Sequence, residues 1–199
     1  MEMRVEGMRT SESVFFLRPS FPRPRLHPRN HRPLDRPEAL SHYSGMRELP
    51  HTHSCFVCGE SNALGLRQRF ETDGRVVRAR FTPRAEHVGF QGVVHGGILA
   101  TLLDEIMVWA CAVNAKKFGF CAEMTVRFQR PAAPGGELIV EAELIENRKG
   151  RVFEAKAQVR SVAGEVVASA TGKYMPVRDA DLTKLQRDMV GDADWFLGS

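Results

Sequence analysis

The sequence predicts an α+β domain in which one antiparallel sheet wraps a single long helix. Three observations carry this. The run GGILATLLDEIMVWACAVN, from about Gly96 to Asn114, has no Gly or Pro beyond its first turn and is far too long for a strand. Ahead of it, LGLRQRFE and VVRARFTP alternate apolar and polar residues on either side of Asp73-Gly74, a hairpin signal. Behind it, FCAEMTVRFQR, ELIVEAELIEN, RVFEAKAQVRS and EVVASATGKYM read as four strands, separated by Pro-Gly-Gly, Lys-Gly and Ala-Gly turns.

The long helix is the hub. Stepping its residues at about 100° leaves apolar or small side chains almost all round, the mark of a buried helix. Only Thr101, Asp104 and Glu105 break the pattern. Those breaks also argue against a membrane span through Gly97 to Val113. The last three strand runs form an antiparallel meander. After them, DADLTKLQRDMVGDADWFLGS has weak helical spacing at Leu182, Leu185 and Met189, so residues 179–199 are read as a helical tail on a domain spanning 46–178.

Residues 1–45 are another matter. The segment 18–37, RPSFPRPRLHPRNHRPLDRP, holds six of the eleven prolines and no apolar periodicity, so a disordered Arg/Pro-rich tail is expected. Met46 is a candidate for the true start, since ordered composition begins just after it. The tail also carries most of the net charge of +4: eight Arg against five acidic residues leave +3 there. The body is therefore nearly neutral, which argues against a nucleic-acid-binding core. A contact module formed by this tail and the cysteine pair on an unrelated body is the remaining reading of that kind. The start, MEMRVEGMRT, lacks an apolar secretory core, and the four cysteines then suggest a reducing cytoplasm.

Carboxylates on a helix that is otherwise buried are expensive, which makes Asp104 and Glu105 functional candidates over a solvated polar stripe. At the helix start, Val93-Val94-His95-Gly96-Gly97 places two residues without side chains in the first turn. Their backbone N–H groups and the helix dipole suit a developing oxyanion. His95 is read as shaping that turn, because a residue just before Gly-Gly is well placed to bond backbone.

Taken together, HVGFQGVVHGGILATLLDE and MTVRFQRPAAPGGEL resemble the hotdog-fold thioesterase superfamily of the phenylacetate-degradation (PaaI) type, over about Cys55 to Val177. The strand and helix order is that of a hotdog fold. The resemblance implies an acyl-CoA thioesterase acting on a small to medium or aromatic acyl group, without a cofactor. It also implies a homodimer or dimer of dimers whose active sites draw residues from two chains. By position, Asp104 matches the general base or nucleophile, and His95, Gly96 and Gly97 match the turn that polarises the thioester carbonyl. Gln91, Cys121, Glu105 and Arg130 are the expected substrate-binding residues. Two departures stand out: Cys121 occupies a place often held by Ser or Thr, and Gly89 a place often held by an amide. They keep open a non-catalytic acyl-CoA-binding protein as the alternative. A hotdog dehydratase is disfavoured, since its His would fall at position 90 or 91, where Phe90 and Gln91 stand.

The segment HTHSCFVCGESNALGL offers His51, His53, Cys55 and Cys58 at short spacing. All four fall within eight residues, whereas zinc sites usually draw on two separated elements, so small buried thiols are favoured and no metal is expected. Coenzyme A phosphates would want a basic rim, for which Arg127, Arg130, Arg148, Lys149 and Arg151 are available.

Overall fold

The structure, a computed structural model, describes residues 45–194, all within one compact unit spanning Glu38–Ser199. The expected disordered tail therefore lies outside the described residues, apart from Gly45. In chain order the elements are β1 (Arg47–Glu48), β2 (His51–Thr52), β3 (Glu71–Thr72), β4 (Val76–Phe81), a single 3-10 turn (Ala85–His87), α1 (Gly96–Ala115), β5 (Gly119–Phe128), β6 (Leu138–Asn147), β7 (Phe153–Ser161), β8 (Val166–Pro176), α2 (Asp179–Arg187) and β9 (Met189–Val190).

Seven strands form one sheet in the order β1-β3-β4-β6-β7-β8-β5, antiparallel at every step. This sheet packed on α1 is the hotdog fold. Ten side chains of α1 are buried, from Leu99 to Val113. By length and composition alone the helix could cross a membrane, with a mean hydropathy of 1.6, but its apolar surface is spent against the sheet. The sheet meets it with small residues: Ala142, Ala155, Ala157, Ala168 and Ala170 are all buried, so the helix can lie close to the strands. Larger side chains close the ends, with Trp109 set edge-on to Phe118 at 5.3 Å and tilted against Phe70 at 6.3 Å. Lys116, in the left-handed region at φ 57°, ends the helix.

Two expectations need correction. The hairpin at Asp73-Gly74 is present, with Glu71 opposite Arg78 and Thr72 opposite Val77, but its first arm is only Glu71–Thr72 and does not extend back through 64–70. Arg67 sits at φ 53° and breaks the extended path. The backbone of Leu66 and Gln68 donates to Phe56 and Val57 instead, at 2.8 Å each. In the C-terminal segment the helix stops at Arg187. Met189, whose spacing suggested a helical position, lies in β9, paired with Thr52 of β2.

Edge strand β5 differs from the others. Most of its residues are exposed, including Phe120 at 59% and Phe128 at 56%. Its sister strands bury alternate or successive residues against the helix.

Candidate functional site

The start of α1 is held by a tight loop. Val88 bridges Val94, Gly89 donates to the Val93 carbonyl at 2.9 Å, and His95 donates to the His87 carbonyl at 2.8 Å. His87 itself is buried and stacked on Phe81, with centroids 5.6 Å apart. Burial, aided by the charge of Arg84, pushes its pKa down, so the ring stays neutral and its Nδ1 accepts from the Arg84 N–H at 3.1 Å.

His95 is the helix N-cap. Its Nδ1 accepts the Gly97 N–H at 2.8 Å, which is the turn-shaping role expected of it. Gly97 is required for this cap, because a Cβ there would meet Nδ1 at 2.8 Å. Gly96 lies against the ring of Phe128, where a Cβ would fall 3.2 Å from Cζ. With Gly97 occupied by His95, the Gly96 N–H has no acceptor among the described residues. It opens onto a groove of about 610 Å³ whose walls include Phe90, His95, Leu99, Phe128 and Arg130. Gly89 also gains a reason: a Cβ there would come within 3.0 Å of the His95 ring. A side chain at that position and this placement of His95 compete for the same space.

Asp104 sits further along the same helix, two turns and a fraction from Gly96, or about 12 Å of axial rise. Its partner was not foreseen from the sequence. Tyr174, fully buried on β8, donates its hydroxyl to Asp104 Oδ1 at 3.0 Å and lies 3.3 Å from the Asp104 carbonyl. Burial, then the negative charge of Asp104, raises the phenol pKa, keeping it a donor. The ring is seated between two glycines: a Cβ on Gly172 would meet it at 2.8 Å, and one on Gly119 would meet the Tyr174 Cβ at 2.9 Å. Those glycines, with a tyrosine on the inward side of the last strand, were the available signal. Cys121 pairs with Tyr174 across β5 and β8, next to a bulge. Its thiol is pushed up by burial and by the charge of Asp104, so the cysteine does stand beside the carboxylate.

The remaining predicted residues separate. Gln91 is exposed on the loop before the helix. Arg130 lines the groove and pairs with Glu165 at 3.1 Å. Arg148, one of the candidate phosphate partners, is engaged by Glu154 at 2.6 Å and Glu146 at 3.2 Å. Glu105, expected among the substrate-binding groups, is not on the groove wall, and as the residue after Asp104 it projects about 100° away from that carboxylate. It accepts from the Trp109 indole at 3.1 Å and lies 3.8 Å from Cys55 Sγ. Burial, reinforced by the charge of Cys55, pushes its carboxyl up to about 7.

The cysteines do not join the histidines. His51 and His53 each bond a different oxygen of Glu60, at 3.0 and 2.9 Å, while Cys55 and Cys58 face Glu105. The Cys58 thiol, bonded to the Cys55 sulfur, draws Cys55 down to about 6 and is itself driven up by the same contact and by burial.

Comparison with known proteins places this geometry. The thioesterase superfamily family model matches residues 91–168, which include the helix and the first three strands after it. Acyl-coenzyme A thioesterase 13 of Mus musculus is 26% identical over 84 residues, 42% of this chain; the match spans about 60% of that relative's length. A solved thioesterase superfamily protein is 31% identical, with a TM-score of 0.58 over 62% of this chain and 60% of its own. Another is 30% identical, with a TM-score of 0.51 over 57% of this chain and 86% of its own. PaaI of E. coli, from the phenylacetic acid degradation operon, shares the fold at 21% identity, with a TM-score of 0.52 over 57% of this chain and 81% of its own. With the hotdog sheet, the capped His-Gly-Gly turn and these matches in hand, the chain belongs to the thioesterase superfamily.

Proposed function

We propose that the protein is an acyl-CoA thioesterase, hydrolysing a small to medium or aromatic acyl-CoA to the free acid and CoA. The observation that carries this is the Gly96 N–H, left open at the N-terminus of a buried helix and facing a groove large enough for an acyl group. A thioester carbonyl seated there would gain a donor and the positive end of the helix dipole as its oxygen becomes an oxyanion. Water adds to the carbonyl carbon while Asp104 accepts its proton. The tetrahedral intermediate then collapses, the C–S bond breaks and the CoA thiolate leaves, to be protonated. Direct attack by the Asp104 carboxylate is the variant of this step. The name of the mouse relative, an acyl-coenzyme A thioesterase, supports the substrate class.

One chain alone does not bring these parts together. Gly96 and Asp104 are about 12 Å apart along the same helix, too far for a carboxylate to reach a carbonyl held at the other. A second copy supplying Asp104 across the exposed β5 edge would complete each site, and the exposed Phe120, Cys121 and Phe128 on that edge support such a homo-oligomer. The four free thiols suit a reducing cytoplasm.

The test is thiol release from short, medium, long and aromatic acyl-CoAs, run beside Asp104→Ala. Turnover lost in the variant supports hydrolysis and identifies the acyl class. Full activity in the variant refutes the role of Asp104. Binding without turnover on every member moves the protein to the alternative, a non-catalytic acyl-CoA-binding protein, which Gly89 and Cys121 in place of the usual polar groups favour.

A further inference from the structure

The turn 52–60, which carries Cys55 and Cys58, is built in detail. Its Cys-x-x-Cys-Gly sequence folds into a knuckle. Val57 N–H donates to Cys55 Sγ at 3.2 Å, Gly59 N–H donates to the Cys55 carbonyl at 2.9 Å, and Cys55 N–H donates to Thr52 Oγ1 at 3.1 Å. Gly59 is the only residue type the turn admits, because a Cβ there would collide with the backbone of Cys55 and His53. Backbone N–H groups aimed at a sulfur stabilise it as a thiolate, the form that binds metal.

We propose that Cys55, Cys58 and Glu105 form a zinc site, with water as the fourth ligand. The two sulfurs and a carboxylate oxygen lie within 4.8 Å of one another, and Cys55 Sγ is 3.8 Å from Glu105 Oε1. A tetrahedral ion with Zn–S of about 2.3 Å and Zn–O of about 2.1 Å has ligand-to-ligand edges of roughly 3.6 to 3.8 Å, so small side-chain movements close the site. The donors come from two separated elements, the knuckle and α1, which is the arrangement a ligand set confined to residues 51–58 lacked. Glu105 is already oriented by the Trp109 indole at 3.1 Å, an outer contact of the kind that fixes ligating carboxylates. Cys58 is fully buried whereas Cys55 and Glu105 are partly open, so water can reach a bound ion and complete the set. Binding exchanges the thiol protons for the ion, with no change of oxidation state.

The experiment uses the full chain, reduced and stripped with chelator, titrated with Zn²⁺ alone and in parallel with Co²⁺. One ion per chain is expected. At a hundredfold excess over Kd, Tm should rise by about 5 to 10 °C. Cobalt should give thiolate-to-metal charge-transfer absorption. Glu105→Gln should keep the fold by circular dichroism and weaken Zn²⁺ at least about tenfold, and Cys55→Ser should abolish the charge-transfer band. Wild-type Tm and spectrum unmoved by either ion would overturn the site, as would Cys55→Ser binding Zn²⁺ as tightly as wild type. Recovery of a Cys55–Cys58 disulfide, two hydrogen masses lighter and unable to take up metal after reduction, would equally overturn it in favour of a redox pair.

Discussion

Asp104 and Glu105 are consecutive carboxylates on one helix, and the fold gives them opposite neighbourhoods. Asp104 receives a phenol from the last long strand and stands beside Cys121 on the open edge of the sheet. Glu105 faces an indole and the two sulfurs of the 52–60 turn, and burial lifts its carboxyl to about 7. The difference teaches that a rotation of about 100° is enough to divide two like groups between different chemistries. The side facing the edge strand keeps a carboxylate held by a phenol. The side facing the 52–60 turn keeps a carboxyl that burial makes costly to ionise.

Breaking the Asp104 side should have the largest effect. Asp104→Asn is nearly isosteric, so Tm should hold within a few degrees, while acyl-CoA turnover falls by about 100- to 10,000-fold. Thiol-release rates alongside thermal melts check both halves. Next is Tyr174→Phe, which removes only the hydroxyl that fixes the carboxylate. A hydrogen bond to a charged group contributes about 1.5–3 kcal/mol, so kcat should drop roughly ten- to a hundredfold with KM little changed. A loss of KM alone would show that the phenol serves binding instead. Gly172→Ala sharpens the same side by packing rather than charge, since the new methyl must displace the Tyr174 ring. Overpacking of this kind costs about 1–3 kcal/mol, read as a lower denaturation midpoint.

The Glu105 side is tested by pH, in chelator-treated protein. An acid whose folded pKa is raised from 4.5 to about 7 favours folding while protonated, so its contribution is fully present below pH 4.5 and is lost as pH rises through 7. Wild-type Tm should therefore decline over that window more steeply than Glu105→Gln. Parallel curves would remove the buried acid as the cause. The smallest effect is expected at His87. Its lowered pKa means that stability is present above pH 6.5 and falls as pH drops through the depressed value. A His87→Gln variant should flatten that acid limb in urea titrations.

The long helix, the four strands after it and the capping role of His95 were legible in the sequence, because each rests on a local pattern: apolar residues all round, alternation, and a polar residue before Gly-Gly. What was not legible depends on contacts between distant segments. Tyr174 lies 70 residues from Asp104, and no periodicity announces that its hydroxyl ends there. The first hairpin arm failed because 64–70 alternates like a strand but spends its backbone hydrogen bonds on residues 56–57. Likewise, the cysteine pair has two histidines beside it in the sequence, whereas its third neighbour in space sits 50 residues further on.

The short pairing of β2 with β9 has a reach beyond its two rungs. Asp188 accepts the Ser54 hydroxyl at 2.6 Å and its carbonyl receives the His53 N–H at 2.8 Å, so the segment bearing the sulfurs is latched from behind by residues 134 positions later. A fusion or trimming that unzips residues 188–190 would slacken the knuckle without touching it, making this late segment a remote handle on how firmly the thiols are presented to the helix.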